Sequence, residues 1–242
     1  PNTLDALQKI AAFWRKQHPL RVIGITGSVG KTSTKELIAA LLSTKYSVLK
    51  NPGNYNNEIG LPLSLLELQP DHDIAVLEMG FYFPGEIQTL CEIAQPQVGV
   101  MTNIGTVHAE RAGSQENIAR GKAELVQSLP PAPDGTAILN MDDPWVRWMA
   151  ARTQAGVLSY GIEEDADLRA THIQTHGLDG VSCQLNYQGR RWQVHSPLLG
   201  KFSVYTILRA AGTALVTGLS WQDIQAGLEV SKVDIRMRHF SL

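Results

Sequence analysis

The chain has 242 residues, of which 43% are hydrophobic and 18% charged, and its formal net charge is -2. This composition is typical of a soluble globular protein, and a chain without a basic excess has no global field to attract nucleic acid or an anionic membrane. Two widely separated cysteines, Cys91 and Cys183, argue against a disulfide scaffold and a zinc site. No apolar run approaches the roughly 20 residues that span a bilayer. We therefore expect a cytoplasmic protein with no membrane or nucleic-acid partner.

Helices and strands alternate along the first part of the chain. Apolar residues at helical spacing predict a first helix over residues 4–16, which His18-Pro19 ends. Four apolar runs predict buried strands over residues 21–25, 74–78, 98–102 and 136–140. Helices are predicted between these strands over residues 31–43, 84–94 (with Pro84 near its start) and 114–129 (capped by Ser114). This alternation predicts an α/β fold with a doubly wound, mostly parallel sheet.

The pattern changes after about Gly156. Short alternating runs over residues 166–197, with a turn at Gln188-Gly189, predict a small antiparallel sheet attached to the main one. A helix over residues 203–217, ended by Gly218, and a shorter helix over residues 220–229, capped by Ser220, complete the prediction.

A glycine-rich loop over residues 24–33, GITGSVGKTS, lies between a predicted strand and a predicted helix. This is the context of a P-loop, in which backbone N–H groups and a helix N-terminus bind phosphate. Lys31 can reach the β- and γ-phosphates, and the Thr32 hydroxyl can bind Mg²⁺. The glycines do not follow the common GxxxxGK[ST] spacing, so this is a variant loop, and a turn that binds nothing is the alternative. The predicted phosphate-binding residues are Gly27, Ser28, Val29, Gly30, Lys31, Thr32 and Ser33.

The loop resembles the ATP loop of the Mur ligases, which build the peptide of the bacterial cell wall. Further segments resemble this family in the same order: GNYNNEIGLP (53–62), LEMG (77–80) with PGEI (84–87), TNIGTVHAE (102–110), KAEL (122–125) and LNMDD (139–143). GNYNNEIGLP resembles the members that join D-alanyl-D-alanine to UDP-N-acetylmuramoyl-tripeptide through an acyl phosphate, in peptidoglycan precursor synthesis. The resemblance implies a P-loop enzyme that uses ATP and Mg²⁺.

The resemblance also implies catalytic roles for Lys31, Glu78, His108 and Lys122. Glu78 corresponds to a ligand of Mg²⁺ beside Thr32, and His108 to a ligand of a second metal ion. Lys122 corresponds to a lysine that CO₂ carbamylates in several members, which turns a cation into an anionic metal ligand. Each has a simpler alternative, because a strand-end glutamate, a loop histidine and a helical lysine are often only solvated surface residues.

Other polar residues are implied to bind the substrates. Asn54, Asn56 and Asn57 correspond to substrate-binding residues, although asparagine also favours turns for its own hydrogen bonding. Asn140 and Arg236 correspond to nucleotide-binding residues. The following Asp142-Asp143-Pro144 could equally begin a helix as its N-cap.

Mur ligases have three domains, and this chain resembles the central one. We expect a leading helix or linker over residues 1–20, the ATP-binding domain over 21–235, and the start of a hinge to a C-terminal domain over 236–242. The chain is then a fragment, inactive alone, whose partners are UDP-N-acetylmuramoyl-tripeptide, D-alanyl-D-alanine and the N- and C-terminal domains of the same protein.

One segment departs from the family, which usually has G-[RK]-[HF]-N-x-x-N beside the adenine. This chain has Ser203 and Thr206 at the two Asn positions, and a hydroxyl does not reproduce the separate donor and acceptor of an amide. Two alternatives stay open: a degenerate nucleotide-binding or regulatory module, and a folylpolyglutamate- or cyanophycin-type amide ligase. The segment GNYNNEIGLP argues against the second alternative.

Overall fold

A nine-stranded sheet organises the part of the chain that the computed structural model describes, residues 2–105 and 114–230. The strand order is β2-β3-β1-β4-β5-β6-β7-β8-β9. Neighbours from β2 to β7 pair in parallel, and the two pairs among β7, β8 and β9 are antiparallel. The strands are β1 Arg21–Thr26, β2 Val48–Lys50, β3 Ile74–Glu78, β4 Val98–Met101, β5 Thr136–Asn140, β6 Gly156–Gly161, β7 Leu168–Thr175, β8 Val181–Tyr187 and β9 Arg190–Ser196. The predicted fold class is confirmed, and the antiparallel part continues the main sheet.

Helices cover both faces of the parallel part. They are α1 Thr3–Lys16, α2 Lys31–Leu42, α3 Gly60–Leu65, α4 Glu86–Ala94, α5 Gln115–Gln127, α6 Pro144–Met149, α7 Ser203–Val216 and α8 Trp221–Val230, with 3₁₀ turns at Ala150–Arg152 and Gly177–Asp179. One core lies between the sheet and α2, α7 and α8, and a second lies under α1 and α3 to α6. Successive side chains of β1 alternate between them, Val22 in the second core and Ile23 in the first. Burial on both faces therefore explains the continuous apolar runs of the parallel strands.

Three elements were absent from the sequence prediction: β2, β6 and α3. β2, at the edge of the sheet, has only three residues, and a strand of this length is too short to show a hydrophobic period. β6 carries the exposed Val157 and a partly exposed Ser159, so it gives no continuous apolar run. The predicted start of α4 was two residues early, since Gly85 with φ 94° precedes its first residue and Pro84 lies outside it.

The predicted helix boundaries elsewhere are supported by side-chain caps. Ser114 Oγ accepts a hydrogen bond from Asn117 N, and Ser220 Oγ accepts one from Asp223 N. Gly218, with φ 91°, follows the end of α7. Within residues 2–105 and 114–230, no helix combines the length and apolar character needed to cross a membrane.

Arg15 joins α1 to the rest of the molecule. Its side chain is 5% exposed and donates to the carbonyls of Ala94 (2.9 Å), His18 (2.8 Å) and Leu20 (3.1 Å). These carbonyls end α4 and precede β1, so one guanidinium fixes the first helix against two parts of the fold.

Replacement of Arg15 by Ala removes the donor from three carbonyls at once. We expect Arg15→Ala to lower the free energy of unfolding by about 2–4 kcal/mol, measured by urea denaturation. Lys16→Ala, an exposed change in the same turn, is the control and should stay within about 0.5 kcal/mol of wild type. Equal stability of the two variants would contradict this role of Arg15.

Candidate functional site

The glycine-rich loop lies at the carboxyl edge of the sheet, between β1 and α2. β3 ends there at Glu78, and Thr102 follows β4. A topological edge of this kind is where open α/β sheets bind ligands. Gly27 has φ 143°, and a Cβ added to it would lie 1.8 Å from Thr102 Oγ1, so only glycine fits this close approach. The predicted strand–loop–helix context of the phosphate loop is confirmed.

The side chain of Lys31 folds back over its own loop. Its Nζ donates to the carbonyls of Gly27 (2.9 Å) and Ser28 (3.3 Å). Burial lowers the pKa of Lys31, and the negative charge of Glu78 opposes this effect. The ammonium is thus held at the loop, where a phosphate can replace the carbonyls as its partner.

Glu78 joins the phosphate loop to the asparagine-rich loop. Its side chain is buried, and it accepts a hydrogen bond from Thr32 Oγ1 at Oε2 (2.7 Å) and from Asn56 Nδ2 at Oε1 (2.9 Å). The alternative of a solvated strand-end glutamate is wrong. A hydroxyl and a carboxylate oxygen side by side are hard ligands of the type that suits Mg²⁺, so this pair fits that ion.

Lys122 is buried beneath the phosphate loop. Its side chain is 1% exposed, its Nζ donates to the Gly27 carbonyl (3.0 Å), and it lies 4.8 Å from the centre of the Phe81 ring. Burial above all, together with the nearby positive charge of Lys31, lowers the pKa of Lys122 to about 7, and the negative charge of Glu86 opposes this shift. The alternative of a solvated helical lysine is therefore wrong, and two lysines share one carbonyl.

The three predicted asparagines have different environments. Asn56 contacts Glu78, as described above. Asn57 Oδ1 accepts from the backbone N–H groups of Ile59 (3.2 Å) and Gly60 (2.8 Å), which is the turn chemistry weighed as its alternative. Asn54 is exposed at the surface of the loop. The structure thus brings only Asn56 of the three into contact with the carboxylate.

Asn51 was missed by sequence reasoning, although it fixes this loop to the sheet. It is fully buried, accepts from Glu78 N (2.9 Å), and donates to the carbonyls of Glu78 (2.9 Å) and Tyr55 (2.8 Å). The buried Lys35 Nζ donates to the Asn51 carbonyl (2.7 Å). The sequence offered little signal for this role, because Asn51 follows the unpredicted strand β2 and precedes the motif that the resemblance identified.

A cavity of about 700 Å³ opens beside the phosphate loop. Gly30 and Ser33 line it from the loop and α2, Asn140 from β5, and Phe202, Ser203 and Thr206 from the start of α7. Asn140 Nδ2 donates to the Thr102 carbonyl (3.2 Å), so its amide also joins two strand ends. Ser203 Oγ donates to the Gly200 carbonyl (2.7 Å) within its own turn.

The acidic pair after β5 is structural. Asp143 Oδ1 accepts from the N–H groups of Trp145 (2.9 Å) and Val146 (3.1 Å), which confirms the alternative of a helix N-cap. Asp142 accepts from Tyr205 Oη (2.8 Å) and from the backbone of residues 162–164. Burial by itself raises the pKa of Asp142, but these hydrogen bonds outweigh it and leave the pKa below its ordinary value.

Two predicted site residues, His108 and Arg236, lie outside the described residues. Within the described residues, no group of three or more His, Cys, Asp or Glu side chains could hold a metal ion. Sequence reasoning also missed two polar side chains that line the cavity, Thr102 and Arg209. Among the described residues, Thr102 Oγ1 and Arg209 Nη1 have no hydrogen-bond partner.

Comparison with known proteins gives consistent results. A family model described as the Mur ligase middle domain matches residues 25–214. A UDP-N-acetylmuramoyl-tripeptide–D-alanyl-D-alanine ligase of Synechocystis sp. is 44% identical over 241 residues, which cover 99% of this chain and 50% of that protein. The ligase of the same name from Escherichia coli is 35% identical over 231 residues, 94% of this chain and 50% of that protein.

Solved structures agree with these sequence matches. MurF from Acinetobacter baumannii superposes with a TM-score of 0.90 at 35% identity, covering 96% of this chain and 50% of that one. MurF from Thermotoga maritima, solved in complex with ADP, gives a TM-score of 0.83 at 30% identity, covering 93% and 52%. The chain spans about half the length of the curated relatives it matches.

Asn51 provides a test of how the asparagine-rich loop is held. We expect Asn51→Ala to lower the free energy of unfolding by about 2–3 kcal/mol, because one buried donor and two buried acceptors lose their partner. Cleavage of residues 51–60 in limited proteolysis should also become faster. The matched control is Asn54→Ala in the same loop, whose exposed side chain should contribute less than about 0.5 kcal/mol. If the two variants are equally stable, the loop is not held by Asn51.

Proposed function

Because the chain belongs to the Mur ligase family, we propose that it is the ATP-binding central domain of an ADP-forming peptide ligase. The reaction that we propose joins D-alanyl-D-alanine to UDP-N-acetylmuramoyl-tripeptide in peptidoglycan precursor synthesis. The observation that carries this proposal is the convergence of Lys31, Thr32 and Glu78 at one loop, in a chain 44% identical to a ligase of that name.

The proposed domain division follows the sequence expectation. In this proposal residues 21–235 are the central domain, residues 1–20 lead into it, and residues 236–242, which lie outside the described residues, begin a hinge. The N- and C-terminal domains of the longer protein would supply the remaining substrate contacts, so this chain alone ligates nothing. The curated relatives are about twice as long as this chain, and their length supports this division.

The proposed reaction has two steps. A carboxylate oxygen of the tripeptide attacks the γ-phosphorus of ATP, ADP leaves, and an acyl phosphate forms. The amine of D-alanyl-D-alanine then attacks the acyl carbon and releases phosphate and a proton. Phosphoryl transfer depends mostly on charge neutralisation and alignment, and the Lys31 ammonium provides a positive charge at the loop.

Thr32 and Glu78 would hold Mg²⁺, which when bound neutralises phosphate charge. Their adjacent oxygens support this assignment. Asn56 then orients the Glu78 carboxylate through its amide. Asn140, which lines the cavity, is proposed to contact the nucleotide, and His108 and Arg236 keep their roles as proposals from the resemblance.

Lys122 is proposed to react with CO₂, since a buried amine with a pKa of about 7 is substantially neutral at physiological pH. The neutral amine attacks the carbon of CO₂, a C–N bond forms, and one proton is released to give a carbamate. The carbamate places a negative charge beside Lys31, where the protonated amine would place a repelling positive charge.

A degenerate nucleotide-binding or regulatory module is the second candidate. The observation that favours it is the hydroxyl of Ser203, which bonds within its own turn. An amide at that position would offer the cavity both a hydrogen-bond donor and a hydrogen-bond acceptor.

Calorimetric titration of Mg-ATP into this chain tests the phosphate loop. We expect binding of micromolar to millimolar affinity, about -8 to -4 kcal/mol. Lys31→Ala should weaken it about tenfold or more because the charge at the phosphates is lost. Lys16→Ala on the distant α1 is the control and should bind as wild type does. Absence of binding by the wild type would favour the degenerate module instead.

Carbamylation of Lys122 is tested by carbon-13 NMR in ¹³C-bicarbonate. We expect a carbamate resonance at pH 8 that weakens as the pH falls through about 7, where the amine becomes protonated. Lys122→Gln has no side-chain amine at this position and should lack the resonance. This control distinguishes a carbamate on Lys122 from a carbamate on the terminal amine. A resonance that survives in Lys122→Gln would refute the assignment.

A further inference from the structure

Arg209 is a buried cation that the proposed reaction does not use. It lies on α7 and is 4% exposed. Its Nε donates to the Tyr205 carbonyl (2.8 Å), and its Nη2 donates to Thr206 Oγ1 (3.2 Å). Its Nη1 has no hydrogen-bond partner. Across the described ranges, none of the ion pairs includes Arg209, so its charge is not neutralised there by a carboxylate.

The guanidinium of Arg209 lies against the phosphate loop where α2 begins. A Cβ added to Gly30 would lie 3.3 Å from Nη1 and 3.5 Å from Nη2 of Arg209. Gly30 immediately precedes the first residue of α2, whose N-terminus carries a partial positive charge. A cation close to this helix N-terminus is unfavourable by itself. An anion bound between the guanidinium and the helix N-terminus would be attracted by both.

A purely structural role explains only part of this arrangement. Arg209 ties together successive turns of α7 through Nε and Nη2, and its burial among Tyr160 and Tyr205 adds packing. Neither effect requires a full charge, and neither gives Nη1 a partner. Arg209 also lines the cavity together with Gly30 and Ser33, which places it on the ligand side of the loop.

We propose that Arg209 is a nucleotide-binding residue whose guanidinium donates to a phosphate oxygen of the nucleoside triphosphate near the start of α2. This inference rests on the proposed function, because it assigns a further residue to the same nucleotide site. Thr206 is its positioning residue, since its hydroxyl accepts from Nη2 and fixes the plane of the guanidinium. The charge of Arg209 thereby contributes binding energy at a site where Ser203 and Thr206 stand in place of two amides.

The experiment is calorimetric titration of Mg-ATP, Mg-ADP and adenosine into wild type, Arg209→Met and Arg209→Lys. We expect Arg209→Met to weaken ATP and ADP about tenfold and to leave adenosine within about twofold. Arg209→Lys keeps the charge without the planar guanidinium, so its ATP and ADP affinities should lie between those of wild type and Arg209→Met. Arg190→Met, a change of an exposed arginine on β9, is the control.

Each other outcome overturns the inference in a recognisable way. Unchanged ATP affinity in Arg209→Met refutes it while the proposed function stands, and equal losses for ATP and adenosine indicate contact with the base or a structural effect. Absence of ATP binding by wild type itself refutes both proposals. Should Arg209→Met fail to fold by circular dichroism, Arg209→Gln gives the answer: it removes the positive charge but keeps an amide donor, and it should weaken ATP about tenfold while leaving adenosine within about twofold.

Discussion

Positive charge concentrated around one glycine-rich loop is the constraint on which the site depends. The Lys31 ammonium donates to the Gly27 carbonyl, and the Arg209 guanidinium lies beside Gly30 at the other end of the loop. Only one buried carboxylate, Glu78, lies close to this group among the described residues. Because burial weakens solvent screening, this excess of charge favours a bound anion far more than the chain's net charge of -2 would indicate.

The parallel sheet delivers the polar groups to that loop. In parallel pairing all the carboxyl ends meet at one edge, so the ends of β1, β3, β4 and β5 place Thr26, Glu78, Thr102 and Asn140 around the same space. Helices on both faces seal the strands from water, which gives the rigid support that a phosphate site requires. Strands β7 to β9 pack on the side of α7 and α8, and Leu198 and Leu199, which follow β9, line the cavity.

Contacts between two loops hold the Glu78 carboxylate in place. Glu78 bonds to Thr32 of one loop and Asn56 of the other, while its backbone bonds to Asn51. A change in the asparagine-rich loop would therefore reach the carboxylate through two routes, one at its side chain and one at its main chain. Asn51 is thereby coupled to the Glu78 carboxylate although its side chain contacts only the Glu78 main chain and the Tyr55 carbonyl.

Sequence alone determined the alternation of most strands and helices, the phosphate loop and the family resemblance, but not β2, β6 or α3. These features depend on local spacing: apolar runs define buried strands, and glycine next to Lys31 and Thr32 marks a strand–loop–helix turn. Only the tertiary structure decided which polar residues act together. The burial of Lys122 beneath Gly27, the attachment of Asn51 to Glu78 and the position of Arg209 beside Gly30 all arise between segments distant in the chain. The energy of a charged group depends on its three-dimensional neighbours and its access to water, and neither is encoded in local residue spacing.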